Sequence, residues 1–193
     1  MSLSSETAIC SNALLLLGAD PITSFTDGTK GALLSSAFWP QVRDKVLRSH
    51  PWNVATTRVQ LAPESTAPAF DYAYSFLLPS DCLRIIAVGT TDDNIFFKAE
   101  NGRILMDEAV CDLVYVTRLE DVTKYDALLT DAMVASMAAV LAYPITKSQE
   151  NQQAMQQAAE WTLKHARAVN GQEDTGDDFT DFPLISVRGR AAP

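Results

Sequence analysis

Histidine and cysteine are scarce in this 193-residue chain, with two of the former and three of the latter. Cys10, Cys82 and Cys111 lie far apart and form no CxxC pair, which excludes a zinc cluster of ordinary ligand spacing. They are expected to be small buried apolar residues in a reducing compartment. Neither GxGxxG nor GxxxxGK[ST] occurs, and "DGTKG" at 27–31 has the wrong spacing for a phosphate loop, so no nucleotide cofactor is expected. The chain also lacks a basic block and carries a net charge of −9, which argues against a tight grip on duplex DNA. The opening "MSLSSETAIC" has no basic n-region, so no secretory signal is expected. The most apolar run, "AMVASMAAVLAYP" (132–144), is short for a bilayer crossing and has Asp131 at its edge; a buried helix and no membrane contact are expected.

What is present is enough apolar residue for a core: 47% hydrophobic against 20% charged. Residues 5–17 read as a first helix, with Ser4 as cap, Glu6 in the first turn and Gly18 as terminator. A second helix is predicted over 29–49 from the four-residue spacing of Leu34, Phe38, Val42 and Val46, with a kink or restart at Pro40. The spacing then changes at "VLRSHPWNVATTR" (46–58). His50 precedes a proline and Pro51 cannot extend the helix, so the helix ends there, and after Trp52 apolar residues alternate as in a strand. Pro51 and Trp52 are therefore read as a structural anchor joining two parts of the fold.

Five further strands are predicted at 74–78, 83–89, 95–99, 103–106 and 112–119. Asn101-Gly102 suits a two-residue type I′ turn, which would set Glu100 opposite Arg103. Helical spacing returns near 126 in a segment apolar nearly all round, ended by Pro144. Thr146 and Gln149 have capping-box spacing for a last helix running to about 170, with Gly171 as its C-cap. The predicted fold class is α+β: a four-helix bundle of two N-terminal and two C-terminal helices (1–51 and 123–172) with an inserted antiparallel β-module (52–122). Residues 173–193 read as a flexible tail, acidic first and then apolar at Phe179, Phe182, Leu184 and Ile185.

No catalytic constellation emerges. A thiol nucleophile at Cys82 or Cys111 would need a base and an orienting group, and no cysteine-enzyme signature surrounds them. The adjacent acids Asp92-Asp93, Asp107-Glu108, Glu120-Asp121 and Asp177-Asp178 read as solvated loop ends. Trp39, Trp161 and the tail residues Phe179, Phe182, Leu184 and Ile185 are the candidates for contacts with other subunits or partners.

Taken in order, "ICSNALLLLGADPITSF", "VLRSHPWNVATTRVQLA", "LPSDCLRIIAV", "LVYVTRLEDVTKYDALLTDAM" and "LAYPITKS…QQAAEWTLKHARAVNGQE" resemble tail tubular protein A of short-tailed bacteriophages. The resemblance spans about residues 8–173, with "HPWN" followed by "PSDCLRI" its most specific part; the tail beyond matches nothing in the family. It implies a virion protein and no enzyme: a head-to-tail adaptor, in a closed ring of about twelve copies, between the portal protein and the tail nozzle protein. It also implies a helical bundle with a β-rich module, synthesis in the bacterial host cytoplasm, and double-stranded DNA passing through without specific binding. The alternatives are another phage head-completion or connector protein, and an intracellular hydrolase using Asp81 or Cys82.

Overall fold

A computed structural model describes residues 5–89 and 95–173. Helix α1 (Glu6–Leu16) begins at Ser5, whose Oγ accepts the Ala8 N–H at 3.1 Å, so the cap is one residue later than predicted. Ser4 lies outside the described residues. Helix α2 (Lys30–Arg48) is capped by Thr29 and runs through Pro40 as one helix, so of the kink or restart expected there the restart does not occur.

The buried stripe of α2 is Ala32, Ser35, Trp39, Val42 and Val46, a three-four alternation that the predicted stripe misses by one position at its start. Leu34 and Phe38 are only half-buried. The small residues Ala32 and Ser35 let α2 lie close to its neighbours, and this rotation carries Trp39 inward.

A single 3-10 turn at Asn53–Ala55 leads into β1 (Thr56–Leu61). The remaining strands are β2 (Tyr74–Leu77), β3 (Cys82–Val88), β4 (Phe97–Glu100), β5 (Arg103–Met106) and β6 (Cys111–Thr117). They form two three-stranded antiparallel sheets, ordered β1-β6-β3 and β2-β5-β4. Phe76, Ile104 and Met106 of the second sheet meet Val88, Leu113 and Tyr115 of the first, so the module has an apolar core of its own.

The β4–β5 turn has Asn101 at φ 49° and Gly102 at φ 70°, as a type I′ turn requires. Glu100 and Arg103 are in register. Their side chains nevertheless part: Arg103 binds Glu64 at 2.7 Å and Glu100 pairs with Lys98 at 3.2 Å. Glu64 offers Arg103 a second contact, from Nη2 to the other carboxylate oxygen, which a single strand neighbour does not match.

Helix α3 (Ala127–Thr146) is capped by Asp126, which accepts the Leu129 N–H at 2.8 Å. It passes Pro144 and ends at Lys147 in the left-handed conformation, so the proline belongs to the last turn and does not stop the helix. At 20 residues the helix exceeds the 132–144 run and is long and apolar enough to cross a membrane, which removes the length argument made from sequence. Its buried face meets the other helices. Helix α4 (Gln149–Glu173) starts on Ser148, whose Oγ accepts the Asn151 N–H; Thr146 instead donates to the Ala142 carbonyl. It continues past Gly171.

The four helices do not form the predicted four-helix bundle, although the α+β class holds. The strands sit between the N-terminal and C-terminal helices, and α3 is a hub against which α1, α2 and α4 each pack. Contact between α1 and α2 is slight, and α4 bears chiefly on α3. The cause is α3 itself. Apolar on most sides and rich in alanine, it accepts three neighbours separately, each on its own side, so Leu15, Leu16, Leu33 and Trp161 of the outer helices stay exposed instead of closing on one another. Two apolar grooves remain, one on each side of α4.

Candidate functional site

Trp52 is fully buried in the helical core. Its indole N–H donates to the Val46 carbonyl near the end of α2 at 3.0 Å, and its ring meets His50 edge-on at 5.0 Å. The same core cluster includes Val116 of β6, so the helical core in which Trp52 is buried reaches the first sheet. Pro51 is half-buried beside it.

Trp39, expected on an outer face, is 2% exposed and belongs to the core, so it offers no surface to another subunit. Trp161 is 70% exposed on α4 and stacks on His165 at 5.6 Å. It rims a groove of 590 Å³ between α1 and α4, beside the exposed Leu15 and Leu16. Phe179, Phe182, Leu184 and Ile185 lie outside the described residues.

A charge network that sequence reading missed ties α1, α2 and the end of β6 together. Arg43, 8% exposed, reaches Asp44 at 2.9 Å, Glu120 at 3.7 Å and Glu6 at 3.9 Å. Arg118 holds the second oxygen of Asp44 at 3.0 Å. The only sequence signal was a charged residue adjoining the apolar stripe at Val42, a position where a long side chain can be drawn inward.

The chemistry around Cys82 runs against a nucleophile. Burial, and then the negative charge of Asp81, push its thiol up from the usual range, whereas an attacking thiol needs a lowered value. The Asp81 carboxylate accepts the Thr117 hydroxyl and faces the Tyr115 hydroxyl, so it fixes the β3–β6 edge. His50 is shifted down, first by burial, with the positive charges of Arg167 and Arg84 adding to that and the neighbouring Asn170 amide opposing it. Asp107 accepts the Ala73 N–H and Asp121 caps a turn through the Thr123 N–H; both serve local structure. Among the described residues no group of three or more His, Cys, Asp or Glu side chains is placed to hold a metal.

Burial also raises Cys10, to about 12, with Glu6 adding to the effect, and Cys111, to about 11, with Asp112 adding. A thiol whose folded value exceeds its unfolded one favours folding fully below the unfolded value of about 9, and this contribution fades as pH climbs towards the folded value. Cys10→Ala should therefore flatten the loss of stability between about pH 9 and 12, measured by urea unfolding at stepped pH. In the native protein at pH 8 a thiol reagent should label Cys82 first; equal labelling of Cys10 would contradict its burial.

No protein-family model matches the chain, and no curated protein matches it in sequence.

Proposed function

We propose that the chain is a structural virion protein of a short-tailed phage or prophage, an adaptor of the tail tubular protein A kind that forms a ring between portal and tail nozzle. The observation that carries this reading is the presence of two unlike apolar faces on one molecule. One is helical, with Leu15, Leu16 and Trp161 around one groove; the other belongs to the β-module, where Phe70, Phe96 and Phe97 are exposed, while Leu77 stands exposed on the opposite side of its sheet from Phe97. A cyclic ring is built from head-to-tail contacts, in which each protomer offers two different surfaces. The ordered motifs "HPWN" and "PSDCLRI" support the same reading, as does a net acidic subunit around passing DNA, whose phosphates it would repel.

The test is direct. Virions or induced prophage particles, purified and imaged by cryo-electron microscopy, should carry this chain as a ring at the portal–nozzle junction. Its absence from purified virions by mass spectrometry would overturn the proposal. Trp161→Asp should block ring formation on the portal while leaving the isolated protein folded, as judged by circular dichroism.

A further inference from the structure

The grooves on either side of α4 differ in charge. The one between α1 and α4 contains Asp131 and His165. The one between α2 and α4 has a volume of 560 Å³ and an apolar lining of Val42, Val46, Ala139, Val140, Ala159 and Leu163. It carries two cations, Lys45 and Arg167, and one acid, Glu160. Neither cation has a carboxylate within ion-pair distance among the described residues, and the buried Nε of Arg167 has no hydrogen-bond partner. Arg84 of β3, whose charge also acts on His50, is likewise in no ion pair among the described residues. In a chain of net charge −9, a groove whose lysine and arginine have no carboxylate partner among the described residues is unusual.

The segment that follows α4 has the complementary composition. Asp174, Asp177, Asp178 and Asp181 alternate with, and then give way to, Phe179, Phe182, Leu184 and Ile185. It leaves α4 at Glu173, six residues beyond Arg167. That separation is about 9 Å along the helix, and Leu163 is about 15 Å away. The six residues from 173 to 179 can span up to about 20 Å, and Gly176 eases a reversal of direction.

We infer that residues 174–185 seat in the α2/α4 groove of their own chain, with the acids on Arg167 and Lys45 and the phenylalanines on the Val46–Leu163 floor. The segment then covers apolar surface that the outer helices leave open on one side of the helical core. Charge selects this groove over the other, where Asp131 would repel the incoming acids. The inference does not depend on the virion reading.

Methyl-resolved NMR of the full chain tests it, with Phe179→Ser/Phe182→Ser as the comparison, since neither substitution touches the described core. Ring-current shifts are expected on the Val46 and Leu163 methyl signals of the full chain, unchanged on dilution and lost in the double variant. Identical methyl signals in the two proteins would overturn the inference. Shifts that disappear on dilution would overturn it too, by assigning the groove to the segment of a second copy. Charge reversal at Lys45→Glu/Arg167→Glu should shrink the same shifts, whereas a purely apolar occupant would leave them unchanged.

Discussion

Trp52→Ala is expected to lower the unfolding free energy by ~3–5 kcal/mol, the range for deleting a fully buried large aromatic side chain. The indole fills the helical core at the end of α2, one turn before β1, so its loss opens a cavity close to where the chain passes from the helices into the β-module. Relaxation into that cavity is restricted, because Trp52 sits between a helix terminus and a 3-10 turn whose backbone is fixed by the Ala55 N–H and the Thr56 hydroxyl on the Trp52 carbonyl. Trp52→Phe separates packing from hydrogen bonding. It keeps most of the ring and loses the bond to the Val46 carbonyl, which the Ser49 N–H still satisfies at 3.2 Å, so about 1 kcal/mol is expected. Trp161→Ala, at an exposed site, should stay within about 0.5 kcal/mol of the parent. Urea unfolding followed by circular dichroism measures all three. A cost below about 1 kcal/mol for Trp52→Ala would refute the anchor.

That anchor was legible in the sequence because two local rules coincide at "HPW": proline ends the helix, and the apolar period changes immediately afterwards. The strands were legible for the same reason, since alternation is a property of neighbouring residues; β2 to β6 each fall within two residues of their predicted bounds. Their division into two sheets was not, because β1 pairs with β6 across 49 intervening residues and no local pattern encodes that choice. Trp39 was misplaced because the true stripe of α2 runs through Ala32 and Ser35, and a scan for large apolar residues passes over small ones. The bundle was misjudged on similar grounds. A helix apolar all round was read as the centre of a closed bundle, and it is the centre; closure depends on how the outer helices meet, which hydropathy does not reveal. The α2/α4 groove, whose two cations have no carboxylate partner among the described residues, follows from that incomplete closure and could not be inferred from residues more than 100 positions apart in sequence.

Arg43→Ala is expected to cost about 2–3 kcal/mol, somewhat less than removing one partner of a fully enclosed ion pair. The guanidinium is nearly out of water, whereas its three carboxylates range from half-buried to exposed, and Asp44 keeps Arg118 when Arg43 is lost. The loss combines two parts: the buried stem no longer packs among the helices, and Glu6 loses its only ion-pair partner among the described residues. Arg43→Met retains much of the stem and should recover roughly 1 kcal/mol of the deficit, the share due to packing. Glu120→Ala, at the most exposed of the three carboxylates, should cost no more than about 0.5 kcal/mol. The Tyr125 phenol gives a second readout. Burial holds it well above its ordinary value while the charge of Arg43 pulls it down, so Arg43→Ala should move its titration higher still. An ultraviolet titration in which that phenol ionises earlier in the variant than in the parent would mean that Arg43 is not the cation facing it, and the network joining α1, α2 and the end of β6 would lose its centre.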